Sequence, residues 1–320
     1  MACFGWDVHP TGKPSLQVAL FISGAHAACL QLQRRTLVSA ALALPSRALA
    51  EQQQSRGDHS DAAGLTTRCI TVIPNRETYD ASSTEASHKA ASSCRRGGVG
   101  EGHVYAADVS LQSSTPLTSL TADFIVPPLP KRRPLFDSQI LYFWPGLKSN
   151  APEMGAPVLQ PVLQYGVGGP RWSVQSWSVD ASDPNKPVAV TVPAIDAQPG
   201  DRITSFIRLS DDGSTWTVSA TNTASGEDST LHVARSRTSY DHAVLVNEIV
   251  NMKGECERMP AYAVLERASL TFTNLAVNGK HVPEWRPRAR CAGNPLCDCG
   301  NAASIRENDG AVTLSWRVQT

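Results

Sequence analysis

The sequence lacks net charge, with 29 Lys and Arg against 29 Asp and Glu in 320 residues. That removes the global basic field that would hold nucleic acid or an anionic membrane surface. The one basic cluster, "PKRRP" at 130–134, sits between prolines and reads as a solvated loop. Long amphipathic helical patterns are scarce from about residue 100 onward, which argues against bundles and alternating α/β layouts. No repeat of 20–50 residues is present. There is no G-x-S-x-G elbow, Walker loop or H-E-x-x-H pair, so nothing points to a serine triad, a phosphate cradle or a zincin site. The histidines of the later region, His103, His232, His242 and His281, read as surface or strand-edge residues.

What the chain does have is strand signal. Hydrophobic residues make up 41%, enough for a sizeable core, and 22 glycines and 22 prolines are spread along the length. Segments such as "HVYAADVSL", "LTADFIVP", "QILYFWPGL", "DRITSFIRLS", "TWTVSAT", "HAVLVNEIV" and "GAVTLSWRV" follow one another at close spacing. "DDGS" at 211–214 and "NG" at 278–279 are turn signals between them. Short strands in this density predict an all-β fold, a two-sheet antiparallel β-sandwich over residues 102–320 with a Cys-rich C-terminal segment.

The part of the chain before that region reads differently. Residues 34–50, "RRTLVSAALALPSRALA", run from paired arginines through a short apolar core at 37–45 to Ala48-Leu49-Ala50. That is the order of an export signal, and its apolar core is too short to span a bilayer. Residues 1–50 are therefore expected to be a targeting presequence. Two export-like segments in series resemble presequences routed through a plastid to the thylakoid lumen. Residues 51–101 are rich in Ser, Ala, Gly and charge, and apart from "CITVI" at 69–73 they read as a disordered linker or pro-like segment. An exported product and a mature form off the membrane follow. Four late cysteines, Cys256, Cys291, Cys297 and Cys299, then suggest two disulfides, with three possible connectivities. A zinc site is the alternative, against which C-x5-C-x-C lacks the usual knuckle spacing.

The stretch "GAPVLQPVLQYGVGGPRWSVQSW", residues 155–177, is strand-like yet threads Gln160, Gln164 and Gln175 among apolar residues. A buried amide needs a hydrogen-bonding partner. Gln160 lies four residues before Gln164, on the same sheet face if the strand is regular, with Pro161 between them suggesting an edge or bulge.

The order of several segments resembles the glutamic peptidases (eqolisins). "LTADFIVPP" is similar to that family's early Thr-Ala-x-x-x-Val-Pro strand, and "FWPGL" to its Trp-Val-Gly-Ile segment. "PVLQYG" resembles its Ile-Leu-Gln-Thr-Gly motif, "SWSVD" sits at its aromatic-rich strand, and "HAVLVNE" resembles the strand with its catalytic glutamate. The resemblance covers about residues 118–280 and implies a concanavalin A-like or jelly-roll sandwich. It implies Gln164 and Glu248, 84 residues apart, as the catalytic pair, with Trp144 and Trp177 lining the cleft. Gln160 and Tyr165 are added as substrate-binding candidates from their place beside the glutamine, Gln160 being either the partner that orients Gln164 or a rival for its role. Such a glutamate takes a proton from a water and returns it to the leaving amine. The glutamine holds that water and then donates to the oxyanion. The implied enzyme is an acid endopeptidase that needs neither metal nor cofactor and acts as a monomer on a peptide or protein substrate. Tyr165 departs from the family's small residue after the glutamine, and Val179 from its glutamate.

Other readings remain open. A non-catalytic concanavalin-like module would hold peptide or glycan. A carbohydrate-active hydrolase would need a second carboxylate near Glu248, and only Glu266 and Asp180 offer one. Trp172, Trp177 and Trp216 suit either a sugar platform or a core. Asp180, Asp183 and Asn185 suit a Ca2+ loop or a solvated turn.

Overall fold

The computed structural model describes residues 2–8, 14–20, 67–80, 91–96, 103–130, 139–149, 157–180, 188–236, 238–250, 256, 259–261, 267–281, 284–291, 293–294 and 297–317. The chain divides into two units, residues 1–62 and 63–320. In the first, β1 (Ala2–Val8) and β2 (Pro14–Leu20) pair antiparallel as a two-stranded sheet. The export-like segment at 34–50 lies outside the described residues.

The second unit is a sandwich of two sheets. Across the larger one, in spatial order, run β18 (Arg286–Ala289), β6 (His103–Gln112), β16 (His242–Val250), β8 (Ile140–Lys148), β9 (Val158–Gly166), β10 (Gly169–Asp180), β11 (Val188–Thr191), β3 (Thr67–Val72) and β5 (Ala91–Arg96). A tenth strand, β12 (Ile195–Ala197), also pairs with β10. The smaller sheet runs β19 (Ala302–Ile305), β20 (Val312–Arg317), β17 (Arg267–Val277), β7 (Ser119–Ile125), β13 (Arg202–Leu209), β14 (Thr215–Asn222), β15 (Asp228–Ala234) and β4 (Thr78–Tyr79). No α-helix occurs among the described residues, and none of them forms a helix long and apolar enough to cross a membrane.

Alternation builds the core. In β7 every second residue, Leu120, Ala122 and Phe124, is buried, and the residues between are half-buried or exposed. The inner faces meet in aromatic contacts: Phe143 lies 5.2 Å from Trp316 of the opposite sheet and 6.0 Å from Trp172. Trp172 and Trp216 are both buried in this core, which rules them out as a sugar platform. Each such aromatic removes a large apolar area from water and contributes several kcal/mol in order of magnitude.

Two expectations need correction. The sandwich does not begin at residue 102, and its sheets are not purely antiparallel. β3 joins β11 in parallel and β4 joins β15 in parallel, so both sheets are mixed. The expected linker thus contributes strands to both sheets. The apolar run at 69–73 suffices for β3, whose register sets Ile70 beside Ala189. The two-residue β4 is held by side chains instead. Asn75 Oδ1 accepts from the Thr230 amide at 2.6 Å and Asn75 Nδ2 donates to the Asp228 carbonyl at 2.9 Å. Arg76 NH2 reaches Asp228 Oδ1 at 2.6 Å.

Two disulfides close the C-terminal region, Cys256–Cys299 and Cys291–Cys297, with Cα separations of 5.4 and 5.6 Å. All four late cysteines are used, so the zinc alternative falls away. Asp298 organises the loop between them, accepting from the amides of Gly293 at 2.7 Å and Gly300 at 2.9 Å. Those two donors hold its carboxyl below the usual carboxylate range.

Candidate active site

The site lies on the face of the larger sheet that points away from the other sheet. One cross-strand row defines it. Ser173 of β10 pairs with Gln164 of β9, Gln164 with Tyr142 of β8, Tyr142 with Glu248 of β16, and Glu248 with Tyr105 of β6. Residues in one row share one face, so Gln164, Tyr142 and Glu248 all project to the same side. The expected pair does not lie on neighbouring strands: β8 runs between. With strands about 4.8 Å apart, the two backbones are about 10 Å apart, with the Tyr142 side chain between them.

Local sequence explains how the sheet is shaped beside this row. Pro145 of β8 stands opposite Pro161 of β9, in the gap where the ladder passes from Phe143–Leu163 to Leu147–Leu159. Neither proline has an N–H to give, so the ladder is interrupted beside the row. Gly146 lies under the Trp144 indole: a Cβ there would come within 2.8 Å of the ring and 3.1 Å of the Leu159 carbonyl oxygen. The indole can therefore lie along the strand, and its Nε1 donates to Glu248 Oε2 at 3.1 Å. On the far side, an irregularity in the β16–β6 register falls between Asn247 and Glu248, with Ala106 as the extra residue on β6. The Ala106 carbonyl accepts from the amides of Arg290 and Cys291, tying that bulge to the disulfide loop.

Gln164 is almost fully buried, and its amide orientation is fixed by a relay. The Val192 carbonyl can only accept, so Gln175 must present its NH2 there, at 2.7 Å. Gln175 Oε1 then accepts from Gln164 Nε2 at 3.0 Å, and the same nitrogen donates to Ser173 Oγ at 3.2 Å. Both N–H bonds of Gln164 are thereby committed, and its Oε1 is buried with no partner among the described residues. What the glutamine has left uncommitted is an acceptor.

Around the row is a cluster of Tyr105, Trp144, Val158, Val162, Val244 and Val246, against which Tyr142, Trp177 and Val179 pack. Tyr105 stacks edge-on to Trp144 at 5.8 Å. The buried Lys148 ammonium lies 3.5 Å from the Tyr105 hydroxyl and 5.2 Å from its ring. Asp108, also buried, is paired with Arg290 at 2.5 Å.

The structure sorts the expected residues. Gln164, Glu248, Trp144, Trp177 and Gln160 share the outer face, Gln160 standing opposite Trp177. Trp144 is 1% exposed and acts as a donor to Glu248, so it is not a solvent-facing wall. Tyr165 is misassigned. It is one residue from Gln164, which in a strand means the opposite face, and it packs in the core 5.2 Å from Trp172. Glu266 and the Asp183 and Asn185 loop lie outside the described residues, as do residues 131–134 of the basic cluster. Tyr142, Ser173, Lys148 and Tyr105 were missed. Counting by twos from Trp144 and Gln164 would have put Tyr142 and Val162 on the site face, but only long-range register brings Tyr142 between the pair.

No protein-family model matches the sequence, and no curated protein matches it. Solved structures do. A crystal structure of scytalido-glutamic peptidase with a transition state analog inhibitor aligns at 14% identity and a TM-score of 0.46, over 68% of this chain and 98% of that one. SCP-B, a member of the eqolisin family in complex with the tripeptide Ala-Ile-His, aligns at 14% identity and a TM-score of 0.42, with the same coverage.

Proposed function

We propose that the protein is a glutamic-type peptidase that hydrolyses peptide bonds with Glu248 as base and Gln164 as the residue that positions the attacking water. The observation that carries this reading is the row itself: Gln164 and Glu248 on one face, flanking a single side chain, with the Trp144 indole orienting the carboxylate. The uncommitted Gln164 Oε1 accepts from the water, and Glu248 takes the water's second proton as its oxygen attacks the scissile carbonyl. When the C–N bond breaks, Glu248 returns that proton to the departing nitrogen. Neither step forms a covalent enzyme intermediate or requires a metal. The substrate is an extended peptide, laid across the outer face beside Trp177 and Gln160. The two disulfides are consistent with an exported protein, and we assign the working compartment to one that is acidic and oxidising.

The test is cleavage of an unfolded protein substrate by the full chain from acidic to neutral pH, beside two variants. Glu248→Gln keeps the shape and the acceptor for Trp144 but removes the base, so turnover should vanish. Gln164→Ala should lower kcat on the order of 10²-fold, because the water is no longer positioned. Chelators and serine or cysteine reagents should leave the rate unchanged. Equal rates in wild type and Glu248→Gln would end the assignment. Tight peptide binding without cleavage in any form would replace it with a non-catalytic peptide-binding module.

A further inference from the structure

We infer that the arginines of β18 select acidic peptides: Arg286 and Arg288 bind a glutamate or aspartate side chain of the substrate, on one side of the scissile bond only. This rests on the peptidase reading above and adds a substrate class to it.

Register puts both arginines on the site face. Arg288 pairs with Asp108 of β6 and Asp108 with Val246 of β16, while Arg286 pairs with Ser110 and Ser110 with Val244. Val244 and Val246 belong to the outer-face cluster, and residues in one cross-strand row share one face. Val246 is two residues from Glu248 on the same strand. Two strand spacings across and two residues along put the Arg288 backbone about 12 Å from that of Glu248. An extended peptide covers that distance in about three to four residues.

The chemistry of this flank suits a carboxylate. β18 is an edge strand exposed at every position, and neither Arg286 nor Arg288 has a hydrogen bond or ion pair among the described residues. Arginine stays charged in acid and at neutrality, and its planar fork matches a carboxylate. Positive charge continues from the edge toward the row. The Arg290 guanidinium lies 5.8 Å from the centre of the Tyr105 ring and the Lys148 ammonium 5.2 Å from it, and Tyr105 is the register partner of Glu248. Against these stand Asp108, buried and paired with Arg290 at 2.5 Å, and Glu284, exposed ahead of β18. The other flank is unlike this one. On β9 and β10 the outer face carries Val158, Val162, Trp177 and Val179. A peptide laid across the strands thus meets apolar side chains on one side of the cleavage point and guanidinium groups on the other. Arginine and proline on a short edge strand also deter edge-to-edge pairing. That role alone brings no preference among substrates, which makes the two separable.

The experiment uses the full, disulfide-bonded chain at about pH 5, where a glutamate with an ordinary pKa of about 4.3 is ionised. Peptides with one cleavable core carry Glu, Gln or Lys at successive positions on either side of it, and kcat/KM is measured for each. On one side only, about three residues out, Glu should exceed Gln by about threefold to tenfold, mostly through KM, and Lys should fall below Gln. The margin should shrink in about 0.5 M salt. In the double variant Arg286→Gln/Arg288→Gln the Glu-to-Gln ratio should approach one. In Arg286→Glu/Arg288→Glu, Lys should replace Glu as the preferred residue. Circular dichroism checks that each variant is folded. The same peptides are titrated into Glu248→Gln, so that selection is read apart from turnover. If wild type cleaves without preferring Glu on either side, or the double variant keeps that preference, the peptidase stands and this inference is overturned, the arginines being only a guarded sheet edge. If nothing is cleaved, yet Glu peptides bind more tightly than Gln peptides to wild type and not to the double variant, the acidic-peptide site stands and the peptidase reading fails. If wild type neither cleaves nor binds them, both fail.

Discussion

The two faces of the strands β16, β8, β9 and β10 are built from alternate residues of the same segments, and they are chemically unlike. The inner face carries Leu141, Phe143, Leu163, Trp172, Val174 and Leu245, all buried against the second sheet. The outer face interleaves Tyr142, Trp144, Gln164, Ser173, Gln175 and Glu248 with valines. Burial alone does not distinguish them, since Gln164 and Lys148 are as enclosed as the core leucines. The distinction lies in how enclosure is tolerated. The inner face needs only complementary shape, whereas each buried polar group outside must find a partner or leave an unsatisfied atom at a cost of about 1–3 kcal/mol. Gln175 exists in that sense to satisfy Gln164, and the Val192 carbonyl to satisfy Gln175. The atom left over, Gln164 Oε1, has no partner among the described residues, and it is the atom to which the proposed reaction assigns the water.

The sharpest way to break this comparison is to mutate two neighbours on β8. Phe143→Ala empties space between Trp172 and Trp316, and should cost about 3–5 kcal/mol of unfolding free energy. Trp144→Phe, one residue later, keeps most of the apolar volume and loses only the indole N–H to Glu248. It should cost less stability than Phe143→Ala but lower turnover on the order of 10²-fold, because the carboxylate loses one of the contacts that orient it. Chemical denaturation and peptide cleavage measured on the same preparations check both. A pair of variants that lost stability and activity in equal proportion would show that the two faces are not functionally separate.

How much of this was legible in the sequence follows from the range of the interactions involved. β7 announces itself through strict alternation, as in Leu120, Ala122 and Phe124. β18 could not be read: Arg286–Ala289 is exposed at every position and is a strand only because β6 is there to pair with it. β4 is two residues long and depends on Asn75 and Arg76 gripping a strand 150 residues away. Gln164 and Glu248 were found through the order of motifs, and they do share a row. Tyr142 was not, because its place between them is a property of register across three strands, which no local pattern encodes. Tyr165 was misjudged for the complementary reason. Adjacency in sequence was read as adjacency in space, and in a strand it means the reverse.

A second prediction sharpens the comparison where the inner face itself becomes polar. Asn247, next to Glu248 on β16, is buried on the inner side and donates to Asn301 at 3.1 Å, and Asn301 donates to the Cys297 carbonyl at 3.0 Å. The disulfide region is thus linked to the strand that bears Glu248. Removing a disulfide is expected to cost about 2–4 kcal/mol, with the wider loop at the upper end. Cys256 and Cys299 are 43 residues apart and Cys291 and Cys297 only 6. Paired Cys→Ser variants should therefore rank in that order in thermal denaturation. The smaller loop lies nearer the Ala106 bulge, so its loss should lower turnover more per kcal/mol of stability lost. The reverse ranking in activity would detach the disulfide loop from the site.

The smallest expected effect concerns acid, the condition in which the proposed enzyme would work. Asp228 is held below the usual carboxylate range, first by its hydrogen bonds with Arg76, with Thr230, the Arg76 charge and Asn75 adding to this, against a smaller opposing effect of burial. A carboxylate whose folded pKa is depressed contributes stability that is fully present above its unfolded value, about 3.9, and is lost as pH falls through the lower folded value. The grip of residues 75–79 on β15 should therefore persist at pH 4–5 and weaken only in stronger acid. Arg76→Met removes the partner and leaves Asp228 with an ordinary titration. Acid unfolding followed by tryptophan fluorescence should show the variant slightly less stable than wild type at pH 5, with the two curves converging in stronger acid, once Asp228 is protonated in both. The pair is solvent-exposed on the arginine side, so 0.5 M salt should narrow the gap. A gap that stayed constant down to pH 1 would mean that Arg76 acts through packing and backbone geometry, its amide donating to the Thr230 carbonyl at 2.8 Å, and that its charge is incidental.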